Sequence, residues 1–149
     1  PNLHGRYRPW RAYGQSKLAN YHFAIGLHRE LSMRRLSTAS LLAHPGLSNT
    51  DLQARTVAEG GAGWSANAAH LLSAKTGMTA EQGAMPQIRA ATDPDAKGGE
   101  LYAPRFVNNG AAVRRPILRR LGLTKAIATL WDVSERETGL AMDLSPADG

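Results

Sequence analysis

Tyr13 and Lys17 are the two side chains whose types and spacing could do chemistry together. They stand four residues apart in Tyr13-Gly14-Gln15-Ser16-Lys17, which opens an apolar run from Leu18 to Leu31. That run reads as a helix. On a helix, the spacing stacks both side chains on one face, one turn apart. An ammonium beside a phenol favours the phenolate. A phenol tuned in this way can give or take a proton in carbonyl or alcohol chemistry. The same spacing also suits an amphipathic tyrosine beside a solvated lysine, which is the commoner arrangement. The pair therefore needs company before it makes a site.

Composition sets the bounds. A chain of 149 residues with 42% hydrophobic and 6% aromatic residues suits one soluble globular domain. With no cysteine, disulfides, thiolate zinc sites and a cysteine nucleophile are excluded. No apolar run approaches the length of about 18 residues that a membrane span needs. The opening Pro1-Asn2-Leu3-His4-Gly5 carries no initiating Met and is no signal peptide, which suggests a piece of a longer protein. The net charge of +6 permits acidic or phosphate partners. Arg105, Arg114, Arg115, Arg119, Arg120 and Lys125 fall in a segment without Asp or Glu. No aromatic interleaving accompanies them, so a solvated basic loop is expected and no nucleic acid.

Histidines His4, His22, His28, His44 and His70 show no metal-ligand spacing, and no metal is expected. His44 could line a cleft, although a structural place at a strand end suits it better. Asp93-Pro94-Asp95 reads as a turn and not as a carboxylate pair for acid–base work.

The elements that must position Tyr13 and Lys17 follow in order. Residues 1–11 read as a loop, because Pro9 stops a helix from extending backwards. Residues 12–35 form the helix, with an apolar face wide enough to bury much of its circumference. Residues 38–50 contain a short apolar strand, covered on both faces, and the Pro45-Gly46 turn. Residues 51–78 carry Gly60, Gly61 and Gly63 in a mobile loop and then a helix from Trp64 to Lys75. Residues 79–103 hold a helix and a final strand. Thr79 and Gln82 make a capping box there, and Pro86 sits near the start. Residues 104–149 form a basic, irregular extension, then a helix capped by Thr124 and stopped by Gly139, then a frayed tail. Trp131 is expected in the core beside Ile127. The alternation indicates an α/β layer protein, but two strands need neighbours to make a stable sheet.

Three features in this order resemble the short-chain dehydrogenase/reductase family. Tyr13-Gly14-Gln15-Ser16-Lys17 fits its Tyr-x-x-x-Lys signature. Pro45-Gly46-Leu47-Ser48-Asn49-Thr50 fits the Pro-Gly-x-x-x-Thr turn after the next strand. Gly98-Gly99-Glu100-Leu101-Tyr102 looks like the run into the last sheet strand. The wording of residues 11–20 and of Glu81-Gln82-Gly83-Ala84 is similar to the retinol-dehydrogenase-like and protochlorophyllide-reductase-like branch. The resemblance covers roughly residues 1–140.

The resemblance implies the C-terminal half of a doubly wound Rossmann-type parallel sheet, with the N-terminal dinucleotide-binding half missing. It implies an NAD(P)-dependent oxidoreductase acting on a small hydrophobic carbonyl or alcohol. NADP is slightly preferred over NAD, the location is cytoplasmic, and a homo-oligomer is allowed. Tyr13 is then the catalytic acid–base. Lys17 favours its phenolate and holds the nicotinamide ribose. Pro45, Gly46 and Leu47 wall the nicotinamide ring, and Thr50 bonds near the carboxamide or pyrophosphate. The segment from Asp51 to Gly77 is the substrate loop. The family's glycine-rich loop, its ribose-selecting residue and its catalytic Ser have no counterpart here, and Ser16 is wrongly placed to stand in. The chain alone is therefore expected to be inactive. The competing expectation is a non-catalytic basic module that binds an acidic partner or nucleic acid with steep salt dependence.

Overall fold

The computed structural model describes residues 8–46, 78–106, 109–117 and 121–145. Helix α1 spans Pro9–Met33 and leads into strand β1, Leu42–Ala43. Helix α2, Ala80–Thr92, precedes strand β2, Leu101–Pro104. Strand β3, Ala112–Arg115, and helix α3, Leu123–Thr138, follow among the described residues. The sheet runs β1-β2-β3. β1 and β2 are parallel, with Leu42 opposite Leu101 and Ala43 opposite Tyr102. β2 and β3 are antiparallel, with Tyr102 opposite Arg114. The architecture is α/β with a mixed three-stranded sheet and is compatible with part of a Rossmann-like fold.

Local chemistry explains the boundaries. Pro9 occupies the first turn of α1, where its missing N–H costs nothing. The helix ends with Arg35 in the left-handed region (φ 55) while Leu36 N–H donates back to Leu31 C=O at 2.9 Å. That is the Schellman pattern, here without the usual glycine. α2 starts on the expected capping box: Gln82 N–H donates to Thr79 Oγ1 at 3.2 Å, and Thr79 N–H donates to Gln82 Oε1 at 3.1 Å. Gly139, φ 68, closes α3.

Residue alternation along the strands assigns the layers. Leu42 packs against the cluster of Ile25, Leu123 and Ile127, so α1 and α3 lie on one face. Tyr102, opposite Ala43, points to the other face, where its hydroxyl meets Asp93 at the end of α2. The core is thus split by the sheet. Ile25, Leu123 and Ile127, with Tyr21, Ile117 and Trp131 beside them, fill one side. Fully buried Tyr102, Pro86 and Pro104 sit in the other. Trp131 packs on the core as expected and stacks on Phe23, with ring centroids 5.5 Å apart.

Several expectations need correction. α1 begins at Pro9 and not at residue 12. Its apolar face is far from mostly buried: Ile25 and Leu31 are buried, whereas Tyr13, Leu18 and Phe23 are each more than 40% exposed. Among the described residues α3, the β1 segment and the Gly98–Gly99 turn pack on its second half. β1 is shorter than the predicted apolar run. β2 is not the final strand, because residues 112–115 add β3 through a turn in which Arg105 N–H donates to Ala111 C=O at 2.9 Å. Thr124 does not cap α3. Gly122, φ 78, takes that position, and the Thr124 hydroxyl accepts from Arg29 Nη1 at 3.2 Å. Residues 140–145 form no helix or strand, and Met142 and Leu144 line a cleft of about 790 Å³ between α1 and α3. The predicted mobile loop and the helix Trp64 to Lys75 lie outside the described residues.

The α1–α3 crossing depends on Gly26. A Cβ there would stand 2.6 Å from Trp131 Nε1 and 2.8 Å from Ile127 Cγ2. The Trp131 ring also stacks on Phe23, a contact it would lose by moving away. Gly26→Leu is expected to cost about 1–3 kcal/mol of stability by overpacking, read by urea unfolding. An unchanged midpoint would show that the helices do not cross this closely.

Candidate active site

Tyr13 and Lys17 both lie in the first half of α1 and are exposed. Lys17 Nζ stands 5.5 Å from the centroid of the Tyr13 ring, so the helix does bring the two groups together. The Ser16 hydroxyl donates to Tyr13 C=O at 2.8 Å and is committed to the backbone. A Cβ on Gly14 would meet none of the described residues within 4 Å. Among the described residues no carboxylate pairs with Lys17, which leaves its ammonium available to hydroxyl or phosphate oxygens.

The sheet sets where this pair sits. The Ser40 hydroxyl donates to Ala24 C=O at 2.9 Å, pinning the start of the strand segment to the middle of α1. Farther along α1, the His28 ring lies against Gly98 and Gly99, just ahead of β2. The second half of α1 therefore faces the amino ends of the strands, and the helix runs antiparallel to β1. From Ala24 back to Tyr13 is eleven residues, about 16 Å of helix. From Ser40 on to Pro45 is five residues, about 16 Å of extended chain. Pro45 thus follows the carboxyl end of β1, and Tyr13 lies on the half of α1 away from His28. In open α/β sheets that end is where ligands bind.

The turn at that end is held by His44. Gly46 N–H donates to His44 Nδ1 at 2.8 Å, and His44 N–H donates to Tyr102 C=O at 2.8 Å. Gly46 has φ 73, a conformation other residues adopt with strain. His44 thus serves the turn through both its ring and its backbone. Leu47 and Thr50, the other two residues expected to touch cofactor, lie outside the described residues.

The strongest polar cluster was missed by sequence reasoning. Arg114 donates to Asp93 Oδ1 at 3.0 Å and to the Tyr102 hydroxyl at 3.1 Å, and it pairs with Glu100 at 3.7 Å. The Tyr102 hydroxyl stands 3.3 Å from both Asp93 Oδ2 and Glu100 Oε2. Asp93 is held below its usual value, first by the Asp95 N–H and then by Arg114. Burial pushes the Tyr102 phenol up, so it stays neutral. Arg114, expected in a solvated basic loop, is instead tied to two carboxylates. Arg119 and Arg120 lie outside the described residues. Only the alternation of Tyr102 with Pro104 and of Ala112 with Arg114 could have signalled the network.

Asp93 gives this network a pH dependence. Its folded value is lowered, so its contribution is complete above the unfolded value of 3.8 and is lost as pH falls through the folded one. The melting temperature should therefore fall on acidification below about pH 4. Asp93→Asn should flatten that limb in a thermal melt series. An identical acid limb in the variant would remove Asp93 from the cause.

Comparisons with known proteins fit this geometry. Over 100 residues the chain is 37% identical to polyprenol dehydrogenase of Mus musculus, covering 65% of this chain and 28% of that protein. This supports a relationship at family level with enzymes of the short-chain dehydrogenase type. The crystal structure of an uncharacterised protein from Mycobacterium paratuberculosis aligns with a TM-score of 0.65 at 31% identity. The alignment covers 96% of this chain and 44% of that one. No protein-family model matches the chain. The chain spans less than half the length of either relative.

Proposed function

We propose that these residues supply the acid–base half of an NAD(P)-dependent oxidoreductase active site. Its substrate is a small hydrophobic carbonyl or alcohol. The observation that carries the reading is the Lys17 ammonium 5.5 Å from the centroid of the exposed Tyr13 ring. Kinship with a mouse polyprenol dehydrogenase adds weight to oxidoreductase chemistry.

The residues present fit a nicotinamide nucleotide. Lys17 offers an ammonium with no carboxylate of its own among the described residues, suited to ribose hydroxyls. The Pro45–Gly46 turn offers backbone at the carboxyl end of β1. Leu47 and Thr50 complete the set in this reading. The bound nucleotide would supply the hydride. Tyr13 Oη would give a proton to the carbonyl oxygen in reduction and take it back in oxidation. NADP is preferred slightly over NAD. A cytoplasmic location and a homo-oligomer belong to the same reading. No helix among the described residues is long and apolar enough to cross a membrane.

The sequence carries no glycine-rich dinucleotide loop, and Ser16 is committed to the Tyr13 C=O, so in this reading turnover needs a second half of the fold. The test joins residues 1–149 to the part of the Mycobacterium paratuberculosis protein that lies outside the match. The joined chain should oxidise NADPH, and more slowly NADH, with a hydrophobic aldehyde, while residues 1–149 alone should not. Turnover by residues 1–149 alone would show that the half-site description is wrong.

A further inference from the structure

The polypeptide leaves the sheet at His44, one residue past β1, where His44 N–H donates to Tyr102 C=O at 2.8 Å. Pro45 follows and has no N–H to offer. Gly46 N–H is the next donor along the chain, and His44 Nδ1 accepts from it at 2.8 Å. The bond runs from the second following residue back to a side chain, as in the turns that Asn and Asp close. Here an imidazole nitrogen takes the place of the carboxamide oxygen. A backbone N–H can only donate, so Nδ1 must be the unprotonated nitrogen, and the neutral ring carries its proton on Nε2.

Backbone preference alone does not hold Gly46 in place. Its φ of 73 lies in the left-handed region, and glycine populates positive and negative φ about equally well. The bond to His44 is what selects one conformation of the turn. Imidazole is also the side chain that changes charge between about pH 5 and 8. A charged imidazolium carries an N–H on both nitrogens and accepts from neither side. Gly46 N–H then meets another donor, and the bond is lost.

His44 is exposed, so protons reach it. By strand alternation it shares the face of Leu42, the side covered by α1 and α3. The charged or titratable groups on the neighbouring elements are Arg11, Tyr13, Lys17, Tyr21 and His22 of α1, Lys125 of α3, and Arg105 after β2. None is a carboxylate, so among the described residues no ion pair replaces the lost bond when the ring is charged.

We propose that His44 is a proton-operated pin. Its neutral ring fixes the Pro45–Gly46 turn, its protonated ring releases it, and through the turn it acts as a positioning residue for the nucleotide. The last step rests on the reading of the turn as part of the acid–base half-site; the pin does not.

The pin is tested on residues 1–149 carrying isotope-labelled glycine. Between about pH 8 and 5 the Gly46 amide resonance should move in step with the ring resonances of His44. His44→Asn puts an uncharged acceptor at the position of Nδ1 and retains His22, so its Gly46 resonance should stay in place over the same range. His44→Ala should show the released position throughout. The positioning role is tested on the joined chain by calorimetric titration with NADP. Acidification should weaken binding by the parent roughly threefold to tenfold more than binding by His44→Asn, the worth of one hydrogen bond. His44→Ala should be weaker than the parent by a similar factor at about pH 8, and His44→Asn should recover most of the loss.

A Gly46 resonance that ignores the titration of His44 would overturn the pin. Equal affinity in His44→Ala and the parent at the higher pH, or no recovery in His44→Asn, would overturn the positioning role. If His44→Ala fails to fold, the parent against His44→Asn decides. A joined chain that binds no NADP would sink the nucleotide reading, and the Gly46 resonance would still decide the pin.

Discussion

Tyr102→Ala is expected to remove about 3–5 kcal/mol of stability, the usual cost of truncating a buried aromatic. A domain of this kind has roughly 5–15 kcal/mol to lose, so much of the population should unfold near physiological temperature. Tyr102 has no exposed surface and lies in the middle strand. Its ring fills the face covered by α2, and its hydroxyl is the meeting point of Asp93, Glu100 and Arg114. Tyr102→Phe separates the two contributions. It keeps the ring and leaves the Asp93–Arg114 pair intact, so it should cost nearer 1 kcal/mol. Equilibrium unfolding of both variants in urea checks this. Equal losses would mean that the hydroxyl network, and not ring burial, holds the middle of the sheet.

The second large effect is on chemistry. In a chain completed by a dinucleotide-binding half, Tyr13→Phe should lower turnover by about 10²–10⁴, the range for removing a positioned acid–base group. The ring stays, so contacts beside it stay. The loss should appear in kcat and equally in kcat/KM, because the proton transfer is made only in the transition state. Lys17→Met should behave differently. It removes both the charge beside the phenol and the group assigned to the ribose, so it should weaken cofactor binding as well as slow turnover. Loss of stability is not expected from either change. Both residues are exposed, and neither belongs to the buried cluster around Ile25 and Ile127.

The legible parts of the fold were those fixed by short-range chemistry. Tyr13 beside Lys17 follows from helical spacing alone. The Thr79–Gln82 capping box and the Gly139 stop are equally local, and the structure has both. β3 was not legible, because Ala112-Val113-Arg114-Arg115 has only one apolar alternation and two adjacent arginines. Its strand state depends on β2 and on carboxylates far away in sequence, at Asp93 and Glu100. The Gly122 cap was hidden for a related reason. Thr124 is a good capping residue by type, but its hydroxyl is taken by Arg29 across the α1–α3 crossing. The exposure of α1 could not be read from its apolar content, because periodicity reports which residues could be buried and not whether anything covers them. The His44 ring that accepts from the Gly46 N–H is visible only in three dimensions.

The most direct test of the central claim is a paired measurement on the joined chain and its Tyr13→Phe variant. Cofactor affinity is measured by fluorescence titration, and reduction of a hydrophobic aldehyde by the loss of NADPH absorbance. Equal cofactor affinity is expected in the two proteins, with a rate at least about a hundredfold lower in the variant. A Tyr13→Phe protein that binds NADPH and keeps its full rate would contradict the assignment of Tyr13 as the acid–base group, and with it the proposed function.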